Sequence, residues 1–391
     1  MALPASLLSG TKAHGRVMAD SLESRMAASL QPFIEAGELS GAVALTGTSA
    51  GVQAVISLGK ANLEQGTEMA PETRFRIASM TKPLTATAVM ILAEEGKLKP
   101  ADQLENYLPA FKGVKVAVKA AGGKTDLQDP KNPLLIERLL THTSGLPAFP
   151  KSLGDVYGSR KPDIKTCVEA IAKLPLDFDP GAKWAYCNPG IDTLGRLVEV
   201  VSGQAFADFV AERIFKPLHM QTTRFFPTPE DRGNSAAIYE RKEGKLAEVA
   251  GGWNKPPQDA VNPIPAGGLW STGPDMAKVC VHFLGLVRGS LPKGILDSKT
   301  AKEMTRVHTG ELAAGFTEGM GFGYGFGVVR KPTGVTAKLS PGTFGHGGAF
   351  GTQYWMDPVK DRFVVLMIQR QGLANGDASP MRKALQEVVF A

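Results

Sequence analysis

Strand-type patterning lies near both ends of this chain, and helical periodicity fills the stretch between. Residues 41–47 and 52–58 alternate with small residues around 48–51, which predicts a hairpin. Residues 323–330, 351–356 and 362–369 read as three further strands. Strands this far apart in sequence reach one core only if both ends contribute to one sheet. Leu22, Met26, Leu30 and Phe33 give 17–37 a helical spacing. The apolar segment 79–95, stopped at Gly96, is the strongest helix signal. Shorter helices are predicted at 134–140, 164–174, 189–202, 204–215 and 274–288, with a closing helix at 379–390. The expected fold is α/β plus all-α: an antiparallel sheet built from both termini and flanked by helices, with a mostly helical inserted domain. Residues 17–75 and 306–391 would form a discontinuous α/β domain and 76–305 the helical one, with the functional site between them.

The chain has 391 residues, enough for a sizeable core, and its 43% hydrophobic and 21% charged content suits a globular enzyme. Its net charge of +6 is not concentrated. Lys112, Lys115, Lys119, Lys124 and Lys131 are diluted by Val, Ala and Gly without interleaved aromatics, so 112–132 reads as a solvated loop and no nucleic-acid partner is expected. Cys167, Cys187 and Cys280 form no C-x-x-C pair, and six scattered histidines form no H-E-x-x-H. Free thiols and no metal site follow. No run of eighteen apolar residues is present, so no membrane span is expected. The segment 1–8 lacks a basic leader, which predicts a cytoplasmic protein, or an exported one whose leader is absent from this chain.

Ser79-Met80-Thr81-Lys82 opens the strong helix. A serine hydroxyl needs an adjacent proton acceptor to act as a nucleophile. Residues three apart share a helix face, so the Lys82 amine can reach the Ser79 oxygen. Burial would lower the Lys82 pKa and let it act as a base. The same four letters also fit a capped helix with an exposed lysine. Tyr186-Cys187-Asn188 adds a phenol and an amide, a combination that also fits a packed turn. Gly345-His346-Gly347-Gly348-Ala349 lets a strand backbone approach a ligand and aim an N–H at an oxyanion, or forms a bulge.

The order S-x-x-K, Y-x-N, then a short H-x-G motif resembles the serine β-lactamase and penicillin-binding-protein superfamily. The chain looks most like the family VIII carboxylesterases, which share the class C β-lactamase fold. Phe75-Arg76-Ile77-Ala78, Leu139-Leu140-Thr141-His142-Thr143-Ser144-Gly145-Leu146 and Gly267-Gly268-Leu269-Trp270-Ser271-Thr272 extend the likeness over roughly residues 20–390. The resemblance implies that Ser79 is the acyl-accepting nucleophile and that Lys82 and Tyr186 shuttle its proton, with Tyr186 the direct base. It implies that Asn188 holds Lys82 and contacts the acyl group, and that the N–H groups of Ser79 and Ala349 form the oxyanion hole. His346, Gly347 and Gly348 would contact substrate, and the resemblance implies that no cofactor is needed. His346 stands where β-lactamases have a lysine, and a neutral imidazole is a poorer carboxylate partner. Neutral short-chain esters are therefore the expected small-molecule substrates, with weak or no β-lactam turnover. β-Lactam or D-Ala-D-Ala peptide hydrolysis is the alternative within the superfamily, and a non-catalytic binding module the alternative outside enzymes. The only G-x-S-x-G match, Gly47-Thr48-Ser49-Ala50-Gly51, falls in the turn of the predicted hairpin and not on the strand-to-helix turn of a nucleophile elbow; Leu269-Trp270-Ser271-Thr272-Gly273 lacks the first glycine. Phe149, Tyr157, Trp253 and Phe350, with loops 112–132, 148–163 and 250–266, are candidates to shape the pocket.

Overall fold

The alternating burial of two strands sets the architecture. The computed structural model describes residues 21–119, 124–148, 150, 153–154, 159–249 and 259–391. In β1 (Gly41–Thr48), Ala42 and Ala44 enter one apolar cluster while Val43 and Leu45 enter another. The pattern repeats late in the chain, where Val364 and Leu366 share the first cluster and Phe363, Val365 and Met367 the second. A strand with both faces apolar must be covered on both sides. Helix α1 (Leu22–Glu35) and the closing helix Pro380–Val389 cover one face through Met26, Leu30, Met381 and Leu385. Ser21 caps α1, its hydroxyl accepting from the Ser24 N–H at 3.2 Å.

The sheet has eight strands. After β1 come β2 (Gly51–Asn62) and β3 (Thr67–Glu68). The two-stranded ladder beside the sheet pairs β4 (Phe75–Arg76) with β5 (Trp270–Ser271). Late in the chain follow β6 (Met320–Phe322), β7 (Gly327–Val329), β8 (Phe344–Gly347), β9 (Gln353–Asp357) and β10 (Arg362–Met367). The order is β6-β7-β8-β9-β10-β1-β2-β3, with every pairing antiparallel. The two ends of the chain meet at β1 and β10, where Leu45 pairs with Val365.

Between these strand sets lie α2 (Lys82–Glu94), α3 (Asn188–Ser202) and α4 (Gly273–Arg288), with shorter helices. Every residue of α2 from Lys82 to Leu92 is buried, the mark of a central helix. Helix α4 lies on the second face of the sheet, where Met276, Val279, Cys280 and Phe283 join Val43 and Val365. Two expectations are corrected. Within 112–132, Val116–Lys119 and Thr125–Gln128 pair as a hairpin rather than forming a loop. The single strand expected at 323–330 is instead part of the hairpin β6–β7. All three cysteines are free and buried. No helix among the described residues is long and apolar enough to cross a membrane.

Candidate active site

Ser79 sits in a tight turn, Ala78–Thr81, that runs directly into α2. The turn is 3₁₀ rather than the first turn of an α-helix. With three residues per turn, positions three apart eclipse. Lys82 Nζ accordingly lies 2.9 Å from Ser79 Oγ. The Thr81 hydroxyl tightens the turn by donating to the Ala78 carbonyl at 2.7 Å. Ala78 itself adopts φ +44°, a region L residues rarely enter.

Lys82 is fully buried. Its amine also donates to the Ala266 carbonyl at 2.7 Å and lies 4.7 Å from the centre of the Tyr186 ring. Burial lowers its pKa to about 7, against the opposing pull of Asp192 and Cys187. Tyr186 shifts the other way. Burial pushes its phenol well up, and a hydrogen bond with the Ser79 side chain offsets only part of this. The phenol is therefore protonated at neutral pH, and the lysine is the group poised between its two forms.

Tyr186 is fixed from both sides by His142. The Ala185 N–H donates to the His142 carbonyl at 2.9 Å, and the Cys187 N–H donates to His142 Nδ1 at 3.1 Å. An Nδ1 that accepts leaves the ring proton on Nε2. The His142 ring lies 4.6 Å from that of Tyr186, and burial with the nearby Lys82 holds its pKa well below the usual range. His142 belongs to a stretch the sequence singled out, yet sequence reasoning gave it no role. Asn188 opens α3, and its buried Oδ1 has no partner among the described residues. The expected contact between Asn188 and Lys82 is absent among the described residues, because the Ala266 carbonyl takes that place.

Strand β8 brings the glycine motif against the serine turn. A Cβ on Gly348 would lie 2.4 Å from the Ile77 carbonyl oxygen and 2.2 Å from Thr352 Oγ1, so only glycine permits the approach. Thr352 Oγ1 donates to that same Ile77 carbonyl at 3.2 Å. Neither the Ser79 nor the Ala349 backbone N–H donates to another described residue. Both residues line the cleft, with His346, Gly347 and Gly348. His346 is buried, its Nδ1 lies 2.6 Å from the Gly347 carbonyl, and its Nε2 has no partner among the described residues. Burial, then Lys82, lowers its pKa to about 3, so it is neutral at physiological pH.

The cleft holds about 950 Å³. Loop residues Ala148, Pro150, Gly154 and Arg160 form part of its wall, and Ile264 and Ala266 another part. Phe316, which sequence reasoning missed, lines it and packs edge-on against Tyr186 at 4.8 Å. Phe350 does not line it; it packs against Ala78 and Ile238. Phe149, Tyr157 and Trp253 lie outside the described residues. Ser271, the rival nucleophile, is buried in a hydrogen bond of 2.8 Å with Thr223. No metal-binding cluster of His, Cys, Asp and Glu occurs among the described residues.

A serine hydroxyl on a buried lysine, in a cleft that Ser79 and Ala349 both line, is an arrangement a serine hydrolase can use. The Beta-lactamase family model matches residues 26–387, and the chain belongs to that family. Protein Rv1367c of Mycobacterium tuberculosis is 32% identical over 361 residues, covering 88% of each chain. Esterase EstB of Burkholderia gladioli is 28% identical over 398 residues, covering 95% of this chain and 96% of its own. The solved structure of EstCE1, described as a hydrolase with promiscuous acyltransferase activity, superposes with a TM-score of 0.80 at 24% identity over 95% of this chain and 98% of that one. The protein is thus a beta-lactamase-fold serine hydrolase.

Proposed function

We propose that this chain is a carboxylesterase of the family VIII type that hydrolyses short-chain esters through an acyl-enzyme on Ser79. The observation that carries this reading is Lys82, fully buried, 2.9 Å from Ser79 Oγ and lowered to about 7. In its neutral form Lys82 accepts the Ser79 proton as the oxygen attacks the ester carbonyl. The N–H groups of Ser79 and Ala349 receive the developing oxyanion. Tyr186, protonated and hydrogen-bonded to Ser79, passes a proton to the departing alcohol and recovers one from Lys82. This reverses the expectation that Tyr186 is the direct base, since burial disfavours a phenolate. Water then attacks the acyl-enzyme, with Lys82 again the acceptor, and releases the acid. Asn188 Oδ1 and His346 Nε2, both unpartnered, contact the substrate. The likeness to EstB, an esterase, supports ester substrates. The uncharged His346 supports weak β-lactam turnover. The test compares kcat/KM on p-nitrophenyl butyrate, nitrocefin and a D-Ala-D-Ala peptide. The ester is expected to be fastest; faster nitrocefin turnover overturns the assignment.

A further inference from the structure

The wall of the cleft carries two guanidinium groups, each with a buried nitrogen that has no hydrogen-bond partner among the described residues. Arg76 and Arg160 both line it. Arg160 is only 3% exposed, yet its Nη2 has no partner among the described residues, and neither has the buried Nη1 of Arg76. Each is held in place by other atoms. Arg160 Nε donates to the Asn262 carbonyl at 2.9 Å, and its own carbonyl accepts from the Val261 and Asn262 N–H groups, both at 3.0 Å. Those bonds fix its backbone at φ +52°, a conformation an arginine rarely adopts. The Arg76 guanidinium stacks 4.6 Å from the Trp270 ring.

Arg160 is close enough to disfavour the charge on Arg76. Burial, then Arg232 and Arg160, lowers Arg76 to about 9; burial, then Arg232, lowers Arg160 to about 10, with Asp192 acting in the opposite direction. Arg232 shares an adjoining small cavity with Glu248. The carboxylates on the cleft wall among the described residues are Asp192, one oxygen of which accepts from the Ala266 N–H at 2.8 Å, and Asp377, which neighbours Arg382 at 3.9 Å. Asp192 acts on Arg160 and also on Lys82. A buried charge without a partner is costly, and the guanidinium fork matches a carboxylate.

We propose that Arg76 and Arg160 form an anion subsite in the cleft, so that the preferred esters carry a carboxylate in addition to the ester group. This rests on the esterase reading above and refines its substrate class. The neutral esters expected from the sequence followed from His346 alone, which sits on a different element from either arginine.

The experiment measures kcat/KM on two pairs of esters. One pair is p-nitrophenyl hemiglutarate against p-nitrophenyl valerate, with the charge on the acyl side. The other is 3-carboxyphenyl butyrate against 3-carbamoylphenyl butyrate, with the charge on the leaving group. The expected result is at least a tenfold preference for the charged member of one pair, shrinking as salt is added. Arg160→Gln should cut that ratio at least tenfold, and Arg160→Lys should restore part of it. Equal rates within both pairs overturn the subsite. Should Arg160→Gln fail to fold, the wild-type protein gives the reading: glutarate must slow fluorophosphonate labelling of Ser79 at lower concentration than glutaramide does, and equal protection overturns the subsite. Hydrolysis of all four esters without charge preference counts against the subsite alone. Hydrolysis of none, with no fluorophosphonate uptake, counts against the esterase reading.

Discussion

Replacing Lys82 by Met should abolish turnover and at the same time stabilise the fold. Lys82 has no exposed surface, and its pKa falls from 10.5 to about 7 on folding. At about 1.4 kcal/mol for each tenfold change in proton affinity, keeping this amine in the core at pH 7 costs about 4 kcal/mol. Methionine fills a similar volume and carries no proton. It forfeits the bonds to Ser79 Oγ and the Ala266 carbonyl, worth about 1 kcal/mol each. The balance favours the variant by about 2 kcal/mol, or about 2–3 °C in Tm for a chain of this length. The pH dependence follows from the lowered folded-state value. Between about 7 and 10.5 the unfolded chain binds the proton more readily than the folded one, so wild-type stability rises with pH across that window. The advantage of Lys82→Met is therefore full at and below about 7 and fades toward 10.5. Calorimetry of both proteins from pH 6 to 10 tests this. A variant that melts below wild type at pH 7, or whose margin does not change with pH, refutes the claim that the lysine is held near neutrality by burial.

Three further outcomes are expected. The kcat/KM profile should show a single acid limb centred at about 7, falling tenfold per pH unit as Lys82 protonates; His346 and His142 are both held too low to contribute there. A limb centred above 9 would remove Lys82 as the base. Gly348→Ala places a Cβ 2.4 Å from the Ile77 carbonyl oxygen and should displace the Ala349 N–H, lowering kcat by about 10²–10³ while circular dichroism shows an intact fold. Ser271→Ala should lose about 1 kcal/mol of stability with its Thr223 hydrogen bond, read by urea unfolding, and keep kcat within about threefold of wild type.

The parts of the site carried by side chains at fixed spacing were legible in the sequence, and the parts carried by backbone were not. The interval from Ser79 to Lys82 works on any helical turn, so reading an α-helix where a 3₁₀ turn stands did no harm to the pairing. The Ala266 carbonyl that holds Lys82 has no residue-type signature, which is why the role fell to Asn188. His142 fixes Tyr186 through its ring and carbonyl across more than forty residues, a contact no local pattern encodes. Alternating burial at both ends marked the sheet, since apolar strands covered on two faces leave a strong trace. The break between β6 and β7 was missed because its cause is tertiary. Gly325, at φ +78°, lies so close to α2 that a Cβ there would be 2.5 Å from the Ala86 side chain. The hairpin within 112–132 is short and rich in Lys, Gly and Asp, and its second strand is fully exposed, so it has no apolar alternation to read.

The central claim is that Ser79, activated by Lys82, forms the acyl-enzyme. Intact-mass spectrometry after reaction with a fluorophosphonate, with Ser79→Ala beside wild type, tests it most directly. One adduct on the wild-type protein and none on the variant is the predicted result. An adduct that persists in Ser79→Ala, or none on wild type, would contradict it.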